Sequence, residues 1–151
     1  VAILKLAINA ISKISLSSSE GEIISSYIKR LPFKFELNQI DSKDKFPVDK
    51  QKIYEGELLL KSVSKNVFVI ALEEKGKQFT SREFSNYISK IEQPIVFIIG
   101  GAYGLSDEVR NRANLILSLG KITMPHALAR VVLVEQLYRA YTIDKNHPYH
   151  K

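Results

Sequence analysis

Apolar and polar positions along the chain follow two periods in turn. Residues 1–9 (VAILKLAIN), 66–72 (NVFVIAL) and 94–99 (PIVFII) are short apolar runs rich in β-branched side chains. Runs of this kind predict strands buried on both faces, as in the middle of a parallel sheet. Residues 33–40 instead alternate Phe33, Phe35 and Leu37 with polar partners, the pattern of a half-buried strand. Between the runs lie stretches of helical period. Ser19 with Glu22 reads as a capping box opening a helix that stops at Leu31, before Pro32. A charged loop over 41–52 leads to a second helix, with Ile53, Leu60 and Val63 as its apolar stripe. Thr80 with Glu83 is another capping box, ahead of Phe84, Tyr87, Ile88 and Ile91 on one face. Ser106, Asp107 and Glu108 start a short helix, because acids suit a helix's positive first turn. Residues 115–119 read as a last strand, and Pro125 begins a long helix to about Tyr141. Such alternation predicts one α/β domain over residues 1–151, a mostly parallel sheet with helices on both faces.

Composition narrows the chemistry. The chain has 151 residues, enough for one core, and no cysteine, which excludes a disulfide scaffold and thiolate chemistry and fits a reducing cytoplasm. Its three histidines have no metal-site spacing, so no catalytic metal is expected. No apolar run reaches bilayer-spanning length, and the serine-rich stretch 12–19 lacks the shape of a signal peptide. The expected location is the cytoplasm, with no membrane partner. The chain opens on Val1 inside an apparent strand, which suggests that native residues precede it. The net charge of +6 is unevenly placed: residues 1–108 hold 15 basic and 14 acidic side chains, residues 109–151 hold 7 and 2. A basic end on a near-neutral domain suits a phosphate-rich partner, although charge alone serves solubility equally well.

Three loops at strand ends are specific in composition, and in open α/β sheets ligands gather there. Ile99-Gly100-Gly101-Ala102-Tyr103-Gly104-Leu105 follows the most apolar strand. A dinucleotide fingerprint needs G-x-G-x-x-G and an acid about 20 residues later; neither is present, which leaves a ligand cradle or a tight turn. Leu72-Glu73-Glu74-Lys75-Gly76-Lys77 reads alone as a charged turn. Leu119-Gly120-Lys121-Ile122-Thr123-Met124-Pro125-His126 is too apolar for an exposed loop, and a buried loop needs partners for its backbone groups. It either crosses a tightly packed region or holds a heterocycle through main-chain bonds.

At these loops, and at Ser118, Arg130-Val131-Val132-Leu133, Glu135-Gln136, Leu137-Tyr138-Arg139-Ala140 and Asn146-His147-Pro148-Tyr149-His150, the chain resembles a known family. This is the ribosomal RNA large-subunit methyltransferase H family of pseudouridine N3-methyltransferases, in the SPOUT or α/β-knot superfamily. The resemblance spans essentially the whole chain and is dense from about residue 66 onward. It implies a six-stranded parallel sheet with a C-terminal trefoil knot, through which the apolar 119–125 segment would be threaded and packed. It implies S-adenosylmethionine as cofactor, held by Leu72, Gly100, Leu119, Gly120, Lys121, Ile122, Thr123 and Met124. The implied substrate is pseudouridine in 23S ribosomal RNA, met on the assembled ribosome. Members usually carry glycine-lysine after the first strand, where this chain has Asn9-Ala10-Ile11-Ser12-Lys13.

Methylating the pseudouridine imide requires a proton acceptor, and four residues are candidates: His126, His147, Tyr149 and His150. His126 starts the last helix beside the cofactor loop, where a neutral imidazole is favoured; it is equally read as a half-buried cap of neighbouring backbone. The other three lie on the terminal segment, which suits stacking on a base, or is simply a tail. Arg130, Arg139 and Lys151 are candidate RNA contacts, though Arg139 also suits a helix ion pair with Glu135. The last helix is apolar on more than one side, which predicts a homodimer built on it. The family resemblance agrees, each site using its neighbour's tail. A non-catalytic ribosome-binding module of the same fold is the alternative.

Overall fold

The apolar runs become the inner strands of one parallel sheet. The computed structural model describes residues 5–151, and in it five strands lie in the order β2-β1-β4-β3-β5, each neighbouring pair parallel. They are β1 (Lys5–Ile11), β2 (Lys34–Ile40), β3 (Phe68–Lys77), β4 (Ile95–Ile99) and β5 (Leu115–Leu117). The expected first strand began at residue 1, and its opening four residues lie outside those described. Among the described residues there are five strands, where the resemblance implied six.

Helices α1 (Ser19–Arg30), α3 (Ser81–Ser89) and α5 (His126–Asp144) cover one face, with α5 against both others; α2 (Val48–Leu60) and α4 (Asp107–Arg112) cover the opposite face. Alternate side chains of each strand supply the two cores. Leu6, Ile8, Ile70, Ile95 and Phe97 meet Ile24, Phe84, Ile88, Leu133 and Leu137, whereas Val69, Ala71 and Ile98 meet Leu59, Leu105 and Val109.

Local chemistry fixes the ends of the elements. Thr80 and Glu83 form the reciprocal capping box, and Ser106 caps α4 through the Val109 amide. The cap of α1 is Ser18 rather than Ser19; its hydroxyl accepts from the Gly21 amide at 3.1 Å. Helix α2 starts at Val48, behind Pro47, five residues before the expected stripe, of which Leu60 and Val63 pack against the core while Ile53 does not. Ile53 is 54% exposed, while Gln51, Glu55, Gly56 and Leu59 point inward. That face is polar because Gln51 holds the 41–47 loop, donating to Lys43 O and accepting from the Lys45 and Phe46 amides. The charged turn after β3 is a bulge inside a longer strand, with Leu72 and Lys77 both opposite Leu117.

Register decides where a ligand could sit. Ala71 lies opposite Ile98, and Leu72 opposite Leu117, so β3, β4 and β5 end their pairing at one level. The three loops singled out in the sequence therefore leave the sheet side by side.

Candidate active site

The loops enclose a cavity of about 650 Å³, within the range of small-molecule sites. Leu72, Glu73, Glu74 and Lys75 form one wall, Ile99 to Ala102 with Gly104 and Leu105 a second, and Leu117, Leu119, Gly120, Ile122, Thr123, Met124 and His126 the third. Of the eight expected cofactor contacts, seven line this cavity; Lys121 is exposed and does not. The lining is mostly apolar side chain and main chain, which suits an adenine ring read by backbone groups. Gly104 turns back to donate to Gly101 O at 3.1 Å and has a φ of +85°, a conformation costly for any residue with a Cβ. A Cβ on Gly100 would lie 2.9 Å from Leu105 Cδ2 and 3.0 Å from Gly104 O, so that wall accepts no side chain without shifting.

Segment 119–125 is not packed away as expected. Ile122 is 78% exposed, and Lys121, Thr123 and Pro125 are exposed too, because in one chain the segment is the outer wall of an open pocket. At the rim, Arg110 of α4 donates from Nε to Glu73 Oε1 at 3.0 Å, tying the β3 loop to the helix after the glycine loop. Sequence reading missed this pair, whose partners are 37 positions apart.

His126 is the first residue of α5, half-buried, and faces the cavity. Burial first, then the charge of Arg130, hold its imidazole below the usual histidine value, and Glu55 opposes them. It is therefore neutral at pH 7 and able to accept a proton.

Arg130 is a correction. Expected on the RNA surface, it is 0% exposed and points into the fold. Its guanidinium donates to Gln39 Oε1 (2.8 Å), Ile11 O (2.6 Å) and Ser12 O (2.8 Å), stitching the start of α5 to the ends of β1 and β2. A group so enclosed touches no phosphate. Ser12, just past β1 where the family usually has glycine-lysine, holds a φ of +80°, and Arg130 fixes its carbonyl.

The remaining candidates gather at the other end of α5, about 28 Å away for a 19-residue helix. His147 is exposed; its amide donates to Thr142 O at 2.8 Å, and its Nδ1 accepts from the Tyr149 amide at 3.3 Å. Tyr149 packs on Tyr138 with ring centroids 4.9 Å apart and shares a 3.1 Å hydroxyl contact with Tyr27. Burial, helped by Tyr27 and by the charge of Glu135, pushes its phenol up to about 12. Arg139 donates to Glu135 Oε1 at 2.6 Å and to His150 Nδ1 at 3.0 Å, and lies over the Tyr149 ring. Its helix ion pair is thus formed, while Lys151 is exposed. None of His147, Tyr149 and His150 reaches the cavity of its own chain.

A parallel α/β sheet with a glycine-walled pocket at the carboxyl ends of its strands is the architecture of an enzyme that holds a nucleotide-like cofactor. A sequence profile described as "Predicted SPOUT methyltransferase" matches residues 4–150. The chain is 46% identical over 132 residues to the "Ribosomal RNA large subunit methyltransferase H" of Christiangramia forsetii, covering 84% of this chain and 82% of that one. It is 43% identical over 142 residues to the protein of the same name in Streptococcus suis, covering 86% and 89%. This chain belongs to the SPOUT methyltransferase family, in the branch of those relatives. Among solved structures it shares its fold with a probable methylase family protein of Haemophilus influenzae (TM-score 0.58, 14% identity, 97% of this chain and 68% of that one). It also matches the SpoU methyltransferase AviRb of Streptomyces viridochromogenes, described in complex with AdoMet (TM-score 0.50, 11% identity, 93% and 59%).

Among the described residues no group of three or more His, Cys, Asp or Glu is placed to hold a metal ion, and no helix is long and apolar enough to cross a membrane.

Proposed function

We propose that this methyltransferase modifies N3 of a pseudouridine in large-subunit ribosomal RNA, in the cytoplasm, with the assembled ribosome as substrate. S-adenosylmethionine is its methyl donor. The observation that carries the reading is the placing of His126 on the same cavity as the glycine wall and the 119–124 segment. The name of the relatives supports the RNA class, and the basic C-terminal part supports a phosphate-rich partner.

Bound in the cavity, the cofactor supplies an electrophilic methyl group on a sulfonium. The protein must then place the imide nitrogen in line with that methyl, take its proton and exclude water from the nucleophile. His126, neutral and half-buried, takes the proton. His147, Tyr149 and His150 serve the site of a second chain, stacking on the base and holding RNA, because their own pocket is a helix length away. Leu128 at 46% exposure and Ile122 at 78% are apolar surface beside the pocket, and a homodimer packed on the start of α5 covers them. In that reading the 119–125 segment is the threaded part of the knot, closed over by the partner.

Incubation with labelled S-adenosylmethionine and assembled ribosomes, with and without the pseudouridine, tests the assignment. Transfer only to pseudouridine-containing particles is expected. Transfer to an unmodified uridine instead would overturn the substrate, and comparable activity on a short RNA hairpin would overturn the ribosomal requirement. Failure to bind millimolar cofactor would leave the non-catalytic ribosome-binding module.

A further inference from the structure

Glu55 is the one buried carboxylate among the described residues, at 5% exposure, and half of it is unexplained. Its Oε2 accepts from Ser42 Oγ at 2.9 Å and from Gln51 Nε2 at 3.3 Å. Its Oε1 is equally buried and has no hydrogen-bond partner. Leaving a buried acceptor unpaired is costly, more so for a charged one, and a group kept that way calls for a reason. Anchoring the 41–47 loop does not supply it, since Gln51 already bonds that loop at three backbone positions and Ser42 uses only Oε2.

The free oxygen lies against Gly101, part of the active-site wall. A Cβ on Gly101 would lie 2.7 Å from Oε1, so the carboxylate reaches this place only because residue 101 has no side chain. Gly101 and His126 line the same cavity. Arg130, one turn along α5 from His126, carries a buried positive charge, and its Nε is likewise without a partner. Two charged groups act on His126 in opposite senses: Arg130, on its own helix, disfavours the imidazolium, and Glu55, on α2, favours it.

We propose that Glu55 is a positioning residue for methyl transfer, its carboxylate behind Gly101 offsetting Arg130 and stabilising His126 as that side chain takes the substrate's proton. The inference rests on the reading of His126 as proton acceptor. In the step it assists, the N3–H bond breaks and its proton goes to the His126 imidazole. The electron pair left on N3 forms the bond to the methyl carbon as the sulfur–methyl bond breaks, that pair remaining on sulfur. A neutral thioether and an imidazolium result, and the imidazolium later passes its proton to water. Positive charge moves from the sulfonium to His126, and Glu55 is placed to favour its arrival there. The arrangement has the logic of a carboxylate that steadies a catalytic histidine without itself taking the proton.

The test combines two readouts on the full-length protein. The first is an NMR titration of the His126 imidazole, without cofactor, in wild type, Glu55→Gln and Glu55→Asp. Removing the negative charge should lower the imidazole pKa by about half a unit to one unit, with Glu55→Asp restoring most of it. The second is methyl transfer to ribosomal particles, where Glu55→Gln should lower kcat about tenfold or more with cofactor Kd unchanged within twofold. An unmoved titration overturns the proposal. So does a loss of cofactor affinity that parallels the loss of rate, the mark of a scaffold for the Gly101 loop. A shifted titration together with a pH–rate profile indifferent to His126→Asn overturns the reading of His126, and the positioning role with it, while the measured charge coupling stands.

Discussion

The two ends of α5 are built on opposite plans. Its first turn is open: His126 faces the cavity, Leu128 is exposed, and the preceding segment is a wall made largely of main chain. Its last turns are closed by their own side chains, with Tyr149 packed on Tyr138 and Arg139 held by Glu135 and His150. One end has binding space and little polar side-chain chemistry; the other has that chemistry and no space. The difference is what the proposed two-chain site requires: in that reading a single chain carries pocket and tail apart, and a second chain related by α5 would bring each pocket a tail.

The largest effect separates the two ends. Gly100→Val should weaken S-adenosylmethionine binding by about a hundredfold or more, since its side chain collides with Leu105 and Gly104 O; calorimetry checks it. Deleting residues 147–151 should leave that affinity within twofold and lower transfer at least as much. Mixing the two variants should restore part of the activity if sites combine two chains, and a mixture as inactive as its components sinks the shared site.

Next is Arg130→Ala, which leaves Ile11 O, Ser12 O and Gln39 Oε1 without their donor at a buried position. A loss of about 3 kcal/mol in urea unfolding is expected. A surface-like effect below about 0.5 kcal/mol, with a changed salt dependence of RNA binding, would return Arg130 to the phosphate surface.

The third prediction concerns pH. His126 has a folded-state pKa below its unfolded value, so the unfolded chain binds the extra proton first as pH falls. Its contribution to stability is present above about pH 6.5 and is lost as pH drops through the lowered value. His126→Gln should flatten that acid limb in thermal melts, and transfer rates should fall over the same range in wild type only. A melt profile unchanged by the substitution counts against a neutral, half-buried His126.

The smallest effect is at Ser12. With φ at +80°, Ser12→Gly should stabilise the protein by about 0.5–1 kcal/mol by relieving a left-handed conformation. Destabilisation would mean that the serine side chain contributes more than its backbone costs.

The fold was legible wherever period and caps agreed. The β4 run and the Thr80–Glu83 box specify their elements locally, and the structure places them there. Pocket residues were legible because glycine and apolar loops at strand ends have few other uses. What escaped depends on distant partners. Arg130 reads as a surface charge until the ends of β1 and β2 supply its acceptors, more than 90 positions earlier. Glu55 reads as a solvated helix residue until Gly101 is found against it. The α2 stripe was right only in part for a related reason: Leu60 and Val63 pack on the core, but Gln51 and Glu55 turn inward to a polar loop and leave Ile53 outside.

The stitch made by Arg130 also bears on how the protein comes into being. It joins residues 118 and 119 positions apart, and β1 pairs with β4, most of a chain length away. Contacts this distant in sequence require large loops to close before they return any stabilisation, which slows folding. During synthesis the first strand meets its β4 neighbour only after the intervening β2 and β3 have been made, and its Arg130 clamp only when the last helix has emerged. The pocket is consequently among the last features to form, because its third wall and His126 lie directly before and at the start of the helix made last.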